Sequence, residues 1–350
     1  MQVLAGDIGG TKTLLAVCEA GPVPGGDGAL SIEVLASNRY DSRKFPGLGE
    51  ICRLFAEEVR RPLPRFAGFG VAGPVANGRS QITNLPWVLD ERDLAQALGI
   101  QSVRLANDFH AVALGIPAVK PKDLVTLNEG RREPRGPWAL IGAGTGLGQA
   151  IAMPVAEGER AVLATEGGHT SFAPRTELEI GVLRFLLGRY EHVSWERILS
   201  GDGLVNLTEA LAHLTSSKLG KTLAETIAHD RPNAPAAVTS AARAGDALCR
   251  QAVELFCKLY GSEAGNLALK TLATGGVFVA GGIAPKILEF ITDGRFLAGF
   301  LDKGRMRVLL EKMPVQIVLD SQTGLLGAAA LAAREAQLLQ ARYTPPTSRA

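Results

Sequence analysis

Cysteine is scarce in this 350-residue chain, which carries only Cys18, Cys52, Cys249 and Cys257. Four residues so scattered make neither a disulfide framework nor a CxxC metal site, and they read as buried thiols of a reducing compartment. Long apolar runs are missing too: none reaches the ~20 residues needed to cross a bilayer. The N-terminus lacks the charged-then-apolar pattern of a secretion signal. These absences point to a soluble cytoplasmic protein with no membrane partner. Charge of one sign is also lacking, because 37 Lys+Arg face 35 Asp+Glu for a formal net charge of +2, with no large basic block. A protein that grips a phosphate backbone needs a concentrated basic surface, so no nucleic-acid partner is expected. Aromatic residues, at 5%, are too few for a stacking platform.

What is present is apolar mass and glycine. Hydrophobic residues make up 46% of the chain, enough for an ordered core, and 41 glycines allow many tight turns. Single cores stop growing at roughly 250–300 residues, so two domains are expected. Short buried strands are read at residues 3–6, 14–17, 66–71, 103–106, 138–141, 149–152, 276–280 and 316–319. Helices are read at 51–59, 109–115, 178–187, 236–260 and 325–336, with a Gly- and Pro-rich loop at 21–28. Prolines 117 and 121 place a domain boundary near 116–122, and a strand–glycine turn–strand unit opens each half.

The first glycine turn, GDIGGTKT (residues 6–13), nearly matches the P-loop pattern, but Thr11 stands where its last glycine belongs. A P-loop must also run into a helix, and β-type residues follow here. Glycine amides can still converge on an anionic oxygen, with a hydroxyl from Thr11 or Thr13. An ordinary hairpin with Asp7 as a turn former is the alternative. The second turn, GAGTGLG (142–148), has Leu147 where a dinucleotide fingerprint needs glycine. Two such turns, one per half, suit a grip on one polyphosphate. Asn107 and Asp108 precede an apolar helix, where either can be an N-cap; Asp108 can instead be a general base for a hydroxyl attacking phosphorus. Glu166 and His169 flank two glycines, in a solvated loop or at a polyhydroxylated ligand. Glu196 reads as an exposed helix residue, and no second His or Cys sits at metal-ligand spacing.

Taken together, LAGDIGGTKTLLAV (4–17), LANDFHAVA (105–113), LIGAGTGLG (140–148), EGGHTSFAP (166–174), HVSWERILSGDGLVN (192–206) and VFVAGGIAPK (277–286) resemble, in order, the motifs of bacterial-type glucokinases. GNLAL (265–269) and TGLLGAA (323–329) fit as well. That family lies within the hexokinase–actin–Hsp70 ATPase superfamily. The resemblance implies an α/β fold of two ribonuclease-H-like domains with an interdomain active-site cleft: residues 1–118 plus 320–342 in a small domain and 119–319 in a large one; the tail 343–350, polar with two prolines, matches no motif and is expected to fray.

It also implies ATP-dependent phosphorylation of D-glucose to glucose 6-phosphate. Asp108 becomes the base for the sugar 6-hydroxyl, and Asn107, Glu166, His169 and Glu196 become glucose contacts alongside it. Gly6, Asp7, Ile8, Gly9, Gly10 and Thr11, with Gly144, Thr145 and Gly146, become phosphate loops. Gly281 and Gly282 approach adenosine, Asp7 holds Mg²⁺ through water, and a homodimer is expected. A related repressor–kinase group pairs a similar Glu-x-Gly-His turn with a zinc-binding cysteine cluster; the cysteines here are dispersed, so no zinc is expected. Two rival readings are a kinase of another hexose or amino sugar, and a sugar-sensing transcriptional regulator. The regulator needs a DNA reader ahead of the first motif, where only five residues stand.

Overall fold

The computed structural model describes residues 1–23, 30–82, 84–156 and 159–343. Most of the 21–28 loop and all but Tyr343 of the 343–350 tail therefore lie outside the described residues. The chain opens with strands β1 (Gln2–Ile8), β2 (Lys12–Pro22) and β3 (Leu30–Asp41), then helix α1 (Leu48–Val59) and strand β4 (Phe66–Val71). A small hairpin, β5 (Arg79–Gln81) and β6 (Val88–Asp90), precedes α2 (Glu91–Leu98), β7 (Ser102–Asn107) and α3 (Asp108–Gly115). Strands β8 (Leu124–Asn128), β9 (Trp138–Ala143), β10 (Leu147–Ala156) and β11 (Glu159–Thr165) follow. Then come α4 (Glu177–Leu187), α5 (Gly201–Leu214), α6 (Lys221–His229), α7 (Ala234–Arg243) and α8 (Ala247–Thr271). After β12 (Gly276–Ala280), three short helices, α9 (Leu288–Ile291), α10 (Arg295–Leu301) and α11 (Arg307–Leu310), lead to β13 (Val315–Val318) and α12 (Thr323–Tyr343).

Two compact units result, one of residues 1–121, 154–164 and 320–350, the other of 122–153 and 165–319. Residues 154–164, expected with the large domain, group with the first unit, although β10 and β11 pair in the second unit's sheet. In the first unit the sheet order is β3-β2-β1-β4-β7, with β1, β4 and β7 parallel and β2 and β3 antiparallel. Strand β1 is buried on both faces, which fits its centre position and its unbroken apolar run. Alternation divides its side chains. Leu4 and Ile8 join Ile51, Cys52 and Phe55 of α1 on one side, while Val3 and Ala5 meet the alanines of α12 on the other. Helix α12 presses so closely on α3 that a Cβ at Gly327 would overlap the carbonyl oxygen of Ala111.

The second sheet repeats the plan as β11-β10-β9-β12-β13-β8, with β9, β12 and β13 parallel and β10 antiparallel to β9. The antiparallel meander joined to a parallel pair, present in both sheets, is the ribonuclease-H-like pattern. One expected element splits: the run 236–260 forms α7 and α8, parted where Gly245 takes φ +96° and Asp246 caps α8 by accepting from the Cys249 amide. No helix among the described residues is long and apolar enough to cross a membrane.

Candidate active site

In the first unit, β1 and β2 form a hairpin whose tip is Gly9, Gly10 and Thr11, with Gly9 N–H donating to Lys12 O at 2.9 Å. Ser42 fastens this tip from outside the motif. Its hydroxyl donates to Gly9 O at 2.9 Å, lies 3.0 Å from Thr13 Oγ1, and its amide donates to Thr11 O at 3.0 Å. Thr13 is fully buried in that contact, so of the two hydroxyls expected to face a phosphate only exposed Thr11 is placed to do so. Nothing in the sequence marked Ser42, a lone serine after a strand.

Parallel pairing sets the C-terminal ends of β1, β4 and β7 side by side: Ile8 is opposite Val71, and Val71 is opposite Asn107. Sites in open α/β sheets form at such carboxyl ends. Asn107 is the N-cap of α3, its Oδ1 accepting from Phe109 N (3.0 Å) and His110 N (3.3 Å). Its Nδ2 donates to Gly73 O at 3.2 Å, which leaves one amide hydrogen to offer a ligand. Asp108 stands one residue inside the helix, exposed, with Oδ1 accepting from Phe109 N at 2.8 Å. The capping duty thus falls to Asn107, and the Asp108 carboxylate is presented at the surface. Asp7 is its neighbour in charge. Burial, then the Asp108 charge, push the Asp7 carboxyl up to about 6, against a smaller pull from Arg39.

A cation would relieve the repulsion between Asp7 and Asp108. Two carboxylates with no third ligand suit Mg²⁺, which keeps waters and takes its remaining oxygens from phosphates. No group of three or more His, Cys, Asp or Glu side chains that could hold a metal occurs among the described residues. The four cysteines are free thiols, each buried.

In the second unit, β9 and β10 enclose the second glycine turn, with Gly144 N–H donating to Gly146 O at 2.8 Å. The turn is anchored on several sides. Gly201 at the start of α5 donates to Gly144 O (2.9 Å), Ile283 donates to Ala143 O (3.1 Å), and Ala143 N–H donates to the buried Tyr260 hydroxyl (2.9 Å). Gly281, at φ +86°, sits where a Cβ would come within 2.6 Å of Ala143 O, so glycine is required there; Gly282 beside it is open to solvent.

Glu166 leads into a single 3₁₀ turn, Gly167–His169. The structure brings three of the expected sugar contacts together: His169 Nε2 lies 3.8 Å from Glu166 Oε2, and its Nδ1 lies 4.0 Å from Glu196 Oε1. Glu196 is not on a helix but in the turn before α5, half-buried, with Oε2 accepting from Leu147 N at 2.9 Å. Its own amide donates to Gly168 O at 2.9 Å. One carboxylate oxygen therefore holds the second glycine turn while the other faces His169. Such a set, with acceptors and a donor side by side, can satisfy several hydroxyls of one polyol.

Comparison with known proteins agrees along nearly the whole length. The family profile described as Glucokinase matches residues 4–335. A glucokinase of a Nostoc species is 42% identical, the alignment covering 95% of this chain and 99% of that one. One from Chromobacterium violaceum is 39% identical over 93% of this chain and 88% of the relative. The crystal structure of a glucokinase from an Antarctic psychrotroph superposes with a TM-score of 0.82 at 30% identity, covering 95% and 99% of the two chains.

Proposed function

The chain belongs to the glucokinase family, and from that premise we propose that it transfers the γ-phosphoryl group of ATP to the 6-hydroxyl of D-glucose, with Asp108 as general base. The observation that carries the assignment of residues is the gathering of Glu166, His169 and Glu196 within 4.0 Å from two separate segments.

Phosphoryl transfer asks little covalent chemistry of a protein; positioning and charge stabilisation do most of the work. Asp108 accepts the proton that the sugar 6-hydroxyl sheds as its oxygen attacks phosphorus, and the Asn107 cap fixes where that carboxylate starts. Backbone amides of Gly10 and Thr11, and of Thr145 and Gly146, donate to phosphate oxygens, while the Gly9 and Gly144 amides close their own turns on Lys12 O and Gly146 O. Ser42 keeps the first of these turns closed. Gly281 and Gly282 offer a bare backbone surface to adenosine. Glu166, His169, Glu196 and the remaining Asn107 N–H hold the sugar hydroxyls. Mg²⁺ bound with the nucleotide supplies neutralising charge on the phosphates, and Asp7 is the residue that would hold it.

A coupled assay for glucose-dependent ADP formation tests the reaction, and a panel of sugars at fixed ATP tests the hexose. Removing one partner of a buried ligand hydrogen bond costs roughly 1–3 kcal/mol. Glu166→Gln and His169→Ala are therefore expected to raise the glucose KM roughly 5- to 150-fold, with the ATP KM little changed. Equal changes in both constants would remove these residues from the sugar site. The family resemblance supports a homodimer, which sedimentation equilibrium tests, and the scattered thiols support a place in the cytoplasm.

A further inference from the structure

Asn266, in the GNLAL string on α8, donates from Nδ2 to Glu263 Oε2 at 2.9 Å. Glu263 is completely buried, and its other oxygen accepts from Gln149 Nε2 at 2.9 Å. A carboxylate only accepts, so Gln149 must turn its amide nitrogen toward α8 and its amide oxygen away. That oxygen occupies the space where a side chain at Gly167 would begin. The backbone of Gln149 reaches the same turn, its carbonyl accepting from Thr165 Oγ1 (3.3 Å), which in turn accepts from Gly167 N–H (3.2 Å). Gly167 is the residue between Glu166 and the rest of the 3₁₀ turn that presents His169.

A buried carboxylate is an expensive way to fill a core, and an apolar pair of equal volume is often as stable or more so. Burial indeed pushes the Glu263 carboxyl up, opposed by its bonds to Asn266 and Gln149. What an apolar pair could not do is fix which end of the Gln149 amide faces Gly167. We propose that Gln149 and Glu263 are a positioning pair for the hexose: the buried carboxylate sets the Gln149 amide, and the amide sets the turn that carries Glu166 and His169. This rests on the reading of those two residues as sugar contacts.

The test is a set of variants in the full chain, assayed with both substrates. In Glu263→Gln the new amide can still accept from Asn266, but it turns an N–H toward position 149. The Gln149 amide then flips to accept it, every hydrogen bond at position 263 is retained, and an N–H group now faces Gly167. Thermal stability should hold while the glucose KM rises by about fivefold or more and the ATP KM stays within about twofold. The exchange variant, Gln149→Glu with Glu263→Gln, restores an oxygen facing Gly167 and a matched donor and acceptor between the two positions, so the glucose KM should return toward wild type. Gln149→Met with Glu263→Met guards against a variant that fails to fold; it should melt near wild type yet keep the raised glucose KM. An unchanged glucose KM in a folded Glu263→Gln or double-Met protein would overturn the proposal, as would an exchange variant that does not recover. Wild-type protein that fails to phosphorylate glucose in the same assay would instead overturn the functional reading on which the pair depends.

Discussion

Asn107 and Asp108 are adjacent, and the structure gives them opposite liabilities. Replacing Asn107 by alanine removes the acceptor of two α3 amides, at 3.0 and 3.3 Å, and the donor to Gly73 O. Loss of an N-cap costs about 1 kcal/mol, within a range of roughly 0.5–2. For a unit of this size that corresponds to a melting point roughly 2–4 °C lower. Asp108→Asn removes no cap. The new amide oxygen can still accept from Phe109 N, and one of the two charges that repel each other beside β1 disappears. Its melting point should equal or slightly exceed that of wild type, while kcat falls by at least ~10²-fold, the usual range for loss of a general base. Differential scanning calorimetry and steady-state kinetics on the two purified variants separate these outcomes. A stable Asn107→Ala beside an unstable, active Asp108→Asn would refute the division of roles and return Asp108 to a structural one.

Gly146→Ala should raise the KM of glucose and of ATP together, because its Cβ would overlap Glu196 Oε2 and break the 2.9 Å bond to Leu147 N; a rise in only one constant would show that this carboxylate does not couple the two segments. With Asp7 held at about 6, against 3.8 for an ordinary aspartate, the native chain keeps a proton that the unfolded chain releases between those values. Without Mg²⁺ and nucleotide, stability should therefore fall as pH rises from about 4 to about 6. Asp7→Asn should flatten that part of a plot of urea midpoint against pH, and an unaltered slope would count against the assignment. Burial pushes the thiols of Cys18, Cys52 and Cys249 up to about 12, and that of Cys257 higher still. An aromatic disulfide reagent at pH 8 should label the native protein far more slowly than the unfolded one; rapid native labelling would show that one of these thiols is accessible.

The fold was largely legible because its strands are buried and its turns are glycine-rich. The β1–β2 hairpin follows from apolar residues on both sides of Gly9 and Gly10, and Asp108 could be singled out from its place between a buried strand and a helix. Four features were not. Strand β3 is an edge strand with alternating exposure, so it carries no continuous apolar run, although the Gly- and Pro-rich loop at 21–28 stands just ahead of it. The sequence leads one to expect Glu196 as an exposed helix residue, whereas backbone bonds from Trp195 to Thr170 O and from Glu196 to Gly168 O hold that stretch as a turn. Those are long-range bonds, invisible to any local pattern. Ser42 and Gln149 act through contacts of the same kind, and nothing in their neighbours announces them. The break between α7 and α8 was readable in principle, since a glycine followed by aspartate is a stop and a start.

The helix that backs α3 lies at the far end of the sequence, and this sets the order in which the protein can be made. The sheet bearing Asp7 and the helix α3 that Asp108 opens are complete once residue 121 is synthesised, but the alanine-lined face of that sheet waits for the helix Thr323–Tyr343, about 200 residues later. At roughly 5–20 residues per second, that is an interval of about 10–40 s. The nascent chain spends it with Val3, Ala5 and Ala16 uncovered and α3 unsupported. The second unit's core, by contrast, is drawn from 122–153 and 165–319, segments parted by only eleven residues, and can consolidate in the meantime. A chain stalled short of Gly327 would hold every residue of the proposed chemistry without the helix surface that packs against α3.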